Sequence, residues 1–196
     1  MRDHKWDRHF LGQAFGMAKM SKDPRTKVGA VLVRDQRFPI MQGYNGFPEG
    51  FEDTPERLND RDFKLDHVVH AEQNVISLCA RHGIRTQGTT LFIAATDDSG
   101  AMWGGPPCIR CAVSCVQAGI QEIVAYPTKP SLLTNWAESL EKARRLLYET
   151  GIIFRTVPFS GQYCTIEGET MCHNLELIGN RCSKCPLDEN LQFKAQ

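Results

Sequence analysis

Three residues of this chain have the types and spacing of an open zinc site. His70 begins the run His70-Ala71-Glu72, and Cys108 and Cys111 lie in Pro107-Cys108-Ile109-Arg110-Cys111. One neutral imidazole and two thiolates make three ligands, which leaves the fourth tetrahedral position for water. A fourth protein ligand would close the site and make it structural. Zn²⁺ lowers the pKa of bound water from about 15.7 to about 7 in favourable sites, a change of ~12 kcal/mol in proton affinity. Glu72 is two residues past His70, on the same first turn but about 200° around the helix. From there it approaches the water without binding the metal and can carry protons as general base and general acid. The chemistry implied is hydrolysis. Either half of the pattern alone is weak; both together, each opening a helix and with Pro before the first Cys, are specific. The bland reading, two small buried cysteines and a capping histidine, is outweighed by that joint pattern. A non-catalytic zinc module would not require Glu72.

The elements that must position these residues can be read from periodicity. Trp6, Phe10, Leu11, Ala14, Phe15 and Ala18 follow helical spacing, which predicts a helix over 5–20. The polar segment 21–27 holds Pro24 and reads as a loop. Residues 28–33 and 39–44 read as a β-hairpin turned at Asp35-Gln36-Arg37. Residues 49–66 carry seven acids and three bases with little apolar periodicity, so they read as a long surface insertion. Helices are predicted over 70–82, 108–118 and 134–150, and strands over 89–95, 122–126 and 152–157. Between them, 97–107 is Gly- and Pro-rich loop. The order α-β-β-α-β-α-β-α-β predicts an α/β fold: a five-stranded mixed sheet with helices on both faces. After Phe159 the texture becomes short, polar and Cys-rich. The division expected is a catalytic domain over 1–158 and an appendage over 159–196.

Composition narrows the function. The 196 residues hold 23 Lys and Arg against 23 Asp and Glu, a formal net charge of zero. A protein that grips a nucleic-acid backbone needs a cationic excess, so a nucleic-acid partner is disfavoured. No apolar window is long enough to span a membrane, and Met1 to Trp6 lacks the apolar run of a signal peptide. Residues 1–27 nevertheless hold seven Lys or Arg against three Asp. A local basic segment in a neutral chain suits a small anionic ligand near Arg25 and Lys27. The competing reading of these two is that they are solvated loop residues.

These motifs together resemble the deoxycytidylate (dCMP) deaminases of the cytidine deaminase-like superfamily, over roughly residues 6–157. Besides the His-x-Glu and Pro-Cys-x-x-Cys motifs, the resemblance rests on Ser21 to Val31, on Gly43-Tyr44-Asn45-Gly46-Phe47-Pro48 and on Gln117-Ala118-Gly119-Ile120. The stretch from Asp53 to Leu58, ending in Val69 to Asn74, is similar to a bacterial and phage branch. The resemblance implies a three-layer α-β-α fold whose last two strands are parallel. It also implies zinc-dependent conversion of dCMP to dUMP, with Glu72 passing a water proton to the ring nitrogen and then to the departing amine. Asn45 matches the family residue that hydrogen-bonds the sugar, and Arg25 one that contacts the 5′-phosphate. Tyr126 and Lys129 lie where other members contact phosphate. The loop 97–105 departs from the family pattern. Its Met102 and Trp103 are expected to line the base pocket or a subunit contact rather than fill core. A changed loop could admit a 5-substituted dCMP. CMP, dCTP, a nucleoside and a nucleic-acid base are the remaining candidate substrates. The resemblance further implies a homo-oligomer (dimer or hexamer) and dCTP and dTTP as effectors, and the location expected is cytoplasmic, or the host cytoplasm for a phage-encoded chain.

Eight cysteines are present. Without a secretory signal, metal ligation or catalysis is a better reading than a disulfide framework. Cys79 and Cys115 are expected in the core. Cys182 and Cys185 form half of a zinc knuckle, and Cys164 with either Cys172 or neighbouring His173 could complete it as a closed, structural zinc site. Reduced cysteines packed on the domain, or disulfides, are the competing readings.

Overall fold

The computed structural model describes residues 4–129 and 136–158, together with the backbone of four short strands between 160 and 182. It divides into two compact units, Met1–Val157 and Pro158–Gln196. In the first, helix α1 (Lys5–Ala18) precedes the hairpin β1 (Lys27–Arg34) and β2 (Phe38–Tyr44). Two short helices follow, α2 (Pro55–Asn59) and α3 (Arg61–His67), and then α4 (Ala71–Arg81) and β3 (Thr90–Thr96). The remainder is β4 (Met102–Trp103), α5 (Ile109–Gln117), β5 (Glu122–Ala125), α6 (Ala137–Glu149) and β6 (Ile153–Thr156). In the second unit β7 (Ser160–Ile166) and β8 (Glu169–Asn174) pair antiparallel, as do β9 (Leu177–Ile178) and β10 (Arg181–Cys182).

The sheet order is β2-β1-β3-β5-β6. The β2-β1-β3 half is antiparallel, whereas β3-β5 and β5-β6 are parallel, each joined through a helix as parallel neighbours require. Strand alternation divides the core into two layers. Ala30, Leu32, Leu91, Ile93, Ile123 and Ala125 meet Val75 and Cys79 of α4, Cys115 of α5 and Leu147 of α6 in one cluster. Phe10, Leu11, Ala14 and Ala18 of α1 are buried, and the Phe10 and Phe92 rings lie 5.1 Å apart. Helix α1 can sit so close because position 29 is glycine: any Cβ there would collide with the Ala14 carbonyl oxygen. Cys79 and Cys115 are fully buried in the core, as expected.

Two expectations need correcting. The sheet has a sixth strand, since Met102 and Trp103 pair with Thr96 and Ala95. Beyond the reach of β5, which pairs with β3 only through residues 90–93, β4 takes up the rest of that edge. Trp103 is 1% exposed, a core residue and not a subunit contact. The glycines permit this. A Cβ on Gly104 would stand 2.5 Å from the Tyr126 carbonyl oxygen, and one on Gly105 would stand 2.5 Å from the Thr128 hydroxyl. The loop therefore lies flat enough against 126–128 for the indole to be covered. The second correction concerns the insertion 49–66, which is helical in part. Thr54 and Asp60 cap α2 and α3 by accepting from the Arg57 and Phe63 amides. Phe51, Phe63 and His67 stack on one another, with centroids 4.2–6.1 Å apart, so the segment has its own small apolar support.

Candidate metal and proton-transfer site

Helices α4 and α5 bring the motif residues together. His70 and Cys108 are the residues just before each helix, with extended backbones (ψ 154° and 162°). Neither side chain caps its own helix; the two turn toward each other instead. His70 Nδ1 is 3.5 Å from Cys108 Sγ and 3.3 Å from Cys111 Sγ, and all three atoms lie within 4.8 Å of one another. Zinc–sulfur and zinc–nitrogen bonds of about 2.3 and 2.05 Å at a tetrahedral angle require nitrogen–sulfur separations of about 3.5 Å. The residues present therefore fit a tetrahedral zinc with one open position. Among the described residues this is the one cluster of three or more metal-ligating groups.

The electrostatics suit a cation. The Cys111 thiol, with His70 adding to it, draws the Cys108 thiol down to about 4 against the cost of burial. The same contact, together with burial, pushes Cys111 up, so the two thiols share one proton. The hydrogen bond to Cys108 raises His70 above its ordinary value. Burial raises the Glu72 carboxyl, which is 5% exposed and lies against Cys111. Both thiols sit at a helix N-terminus, where the partial positive charge favours thiolate.

The other predicted residues are placed unequally. Asn45 is buried, and its amide is already engaged: Oδ1 accepts the Val28 N–H at 2.7 Å and Nδ2 donates to the Thr26 carbonyl at 2.9 Å. The next residue, Gly46, bridges Val69 in both directions, which ties Asn45 to the chain entering His70. Arg25 is exposed on the loop between Asp23 and Thr26 and makes no ion pair among the described residues. Lys27 pairs with Asp98 at 2.8 Å. Lys129 is buried with its ammonium 4.1 Å from the Trp103 ring centre and 3.8 Å from Asp97. These two cations thus grip the β3–β4 loop. Tyr126 is buried beside that loop. The side chains of Cys164, Cys172, His173, Cys182 and Cys185 lie outside the described residues.

Sequence reading missed Asp23 and Lys64. Both are buried, and they pair at 3.0 Å. The signal available was the Asp-Pro-Arg-Thr turn, in which an Asp side chain commonly accepts from the backbone two or three residues on.

A mixed sheet that aims one histidine and a Cys-x-x-Cys pair at a single point from two helix N-termini defines a cytidine deaminase-like hydrolase fold. Residues 4–127 match the family described as the cytidine and deoxycytidylate deaminase zinc-binding region, and the chain belongs to that enzyme family. It is 32% identical over 167 residues to the deoxycytidylate deaminase of Mus musculus, covering 83% of this chain and 84% of that one. A deaminase of Aliivibrio fischeri is 27% identical, over 79% of this chain and 95% of its own. Among solved structures, the dCMP deaminase of cyanophage S-TIM5 in complex with dCMP and dUMP superposes with a TM-score of 0.60 at 20% identity, over 80% of this chain and 100% of that one. No helix among the described residues is long and apolar enough to cross a membrane.

Proposed function

We propose that the chain hydrolyses dCMP to dUMP and ammonia. The water oxygen becomes O4 of the uracil ring, the C4–N bond breaks, and the amine leaves as ammonia. The observation that carries the reaction type is the convergence of His70, Cys108 and Cys111 with a buried Glu72 alongside. The substrate is supported by the relatives, of which the mouse protein is a deoxycytidylate deaminase.

In this reading His70, Cys108 and Cys111 hold zinc. Bound there, zinc supplies a Lewis acid that makes water a competent nucleophile near neutral pH. Glu72 accepts a proton from the attacking water, delivers it to ring N3 and then serves the departing amine. Asn45, after its two backbone bonds, keeps one N–H and one lone pair for the sugar. Arg25 takes the 5′-phosphate, while Lys27, paired with Asp98, holds the β3–β4 loop beside the turn. Lys129 and Trp103 brace the β3–β4 loop from within, with the buried Tyr126 beside it.

The test is an ammonia-release screen over dCMP, 5-methyl-dCMP, CMP, dCTP, deoxycytidine and guanine. The expected result is the highest kcat/KM for dCMP; faster turnover of deoxycytidine would overturn the assignment. We extend the proposal to a structural zinc held by Cys164, Cys172 or His173, Cys182 and Cys185, supported by the Cys182-x-x-Cys185 spacing. Zinc near two per chain supports it and zinc near one refutes it. The family resemblance also leads us to expect a cytoplasmic dimer or hexamer regulated by dCTP and dTTP, which sedimentation and rates measured with each effector check.

A further inference from the structure

Lys64 belongs to α3 in the insertion, 41 residues from Asp23 in the chain, and the reaction as proposed does not use it. It is 8% exposed and Asp23 is 6% exposed. Burying either charge alone is costly. Together they are paired: Lys64 Nζ donates to Asp23 Oδ1 at 3.1 Å and lies 3.0 Å from Oδ2. The same Oδ1 accepts the backbone N–H of Arg25 at 2.8 Å and of Thr26 at 3.1 Å. Asp23 is therefore the hub of the turn that carries Arg25. Its own N–H donates to Ser21 Oγ, which donates in turn to the Asn45 carbonyl. Asn45 closes the circuit on Thr26 and Val28. Every tie in this circuit comes from the turn or the adjoining strands except one, the ammonium of Lys64. Without it the turn loses its tie to α3 as well as the countercharge of Asp23, so the turn is no longer held in one position.

We propose that Lys64 is a positioning residue for nucleotide recognition: its ion pair with Asp23 holds the Asp23–Thr26 turn so that Arg25 is presented to the substrate phosphate. This rests on the assignment of Arg25 to a monophosphate. It also gives the insertion a task, since α3 carries the lysine and the Phe51–Phe63–His67 stack keeps α3 in place.

The test compares K64M, K64R, R25A and K64M/R25A, with D23N/K64M as a variant that removes the tie without leaving a buried charge. K64M and D23N/K64M are expected to raise KM for dCMP about 10-fold, the worth of one charge-assisted phosphate contact, with kcat held within about 3-fold. K64R should restore KM. In the R25A background K64M should add less than about 2-fold, because the contact it positions is already gone. Hydrogen exchange of the Arg25 and Thr26 amides should quicken in K64M while the β1 amides stay protected. An unchanged KM in D23N/K64M, equal losses in kcat and KM, or full additivity with R25A overturns the proposal. A parent protein that releases no ammonia from dCMP would sink the substrate assignment instead. The exchange measurement then still decides whether Lys64 holds the turn, and unchanged exchange rejects it.

Discussion

Replacing Asn45 tests whether this residue is a latch as well as a sugar contact. Its side chain satisfies two backbone groups, the Val28 N–H and the Thr26 carbonyl, which flank Lys27 at the start of β1. Asn45→Ala removes both bonds but leaves room for water to replace them in part, so the expected cost is about 2 kcal/mol, two net hydrogen bonds. Asn45→Leu fills that space with an apolar side chain and shuts water out. Each orphaned group then bears its desolvation penalty of about 1–3 kcal/mol, and the cost rises to about 2–6 kcal/mol. Asn45→Asp keeps an acceptor for Val28 but loses the donor to Thr26. Urea unfolding measures all three, with equal m-values required for the comparison. The same variants should raise KM for dCMP, because the segment they loosen is the one that carries Arg25. If Asn45→Ala lies within about 0.5 kcal/mol of the parent, or Leu is tolerated better than Ala, the latch reasoning is wrong.

Three further outcomes follow from the geometry. Glu72→Ala should retain zinc and the folded state but lose about 10²–10⁴-fold in kcat, read by ammonia release; substantial residual turnover would remove Glu72 from proton transfer. Cys108→Ala should lower bound zinc by one per chain, read by metal analysis, since two ligands no longer hold the ion against chelators. Asp7→Asn addresses pH. Burial raises the Asp7 carboxyl, but the bidentate Arg155 bonds at 2.6 and 2.7 Å, with His4, outweigh it and bring it below its ordinary value. A depressed carboxylate contributes stability that is whole above its unfolded value near 3.9 and is lost as pH falls through the lower folded value. The stability gap between parent and Asp7→Asn should therefore stay constant from about pH 7 to 5 and shrink below about pH 4; a gap that widens on acidification would contradict the pairing.

Much of this protein was legible in the chain. Periodicity placed α1, α4 and α5 through their apolar faces, short apolar runs bounded by turn residues placed β1, β3 and β5, and the topology follows from the helices that separate the parallel strands. The reading failed where local texture misled. Trp103 sits between Gly100 and the pair Gly104-Gly105, and glycine richness signals a loop. Yet Gly104 and Gly105 are what bring the segment close enough to 126–128 to bury the ring. The insertion showed little apolar periodicity because its helices are about two turns or less, too short to show a period, although Thr54-Pro55 and Asp60 were cap signals.

The sequence by itself determined the chemistry, because ligand type and spacing decide which ion fits and whether a position stays open. His70, Glu72, Cys108 and Cys111 could be picked out with no coordinates at all. Only the tertiary structure decided which of the cations are paired and which is left exposed. By sequence Arg25, Lys27, Lys64 and Lys129 are four similar cations. In the fold Lys27 is spent on Asp98, Lys129 is sunk against Trp103 beside Asp97, Lys64 is locked to Asp23, and Arg25 alone of the four is exposed. The partners of these charges come from segments far away in sequence, and pairing across such distances is set by packing rather than by any local pattern.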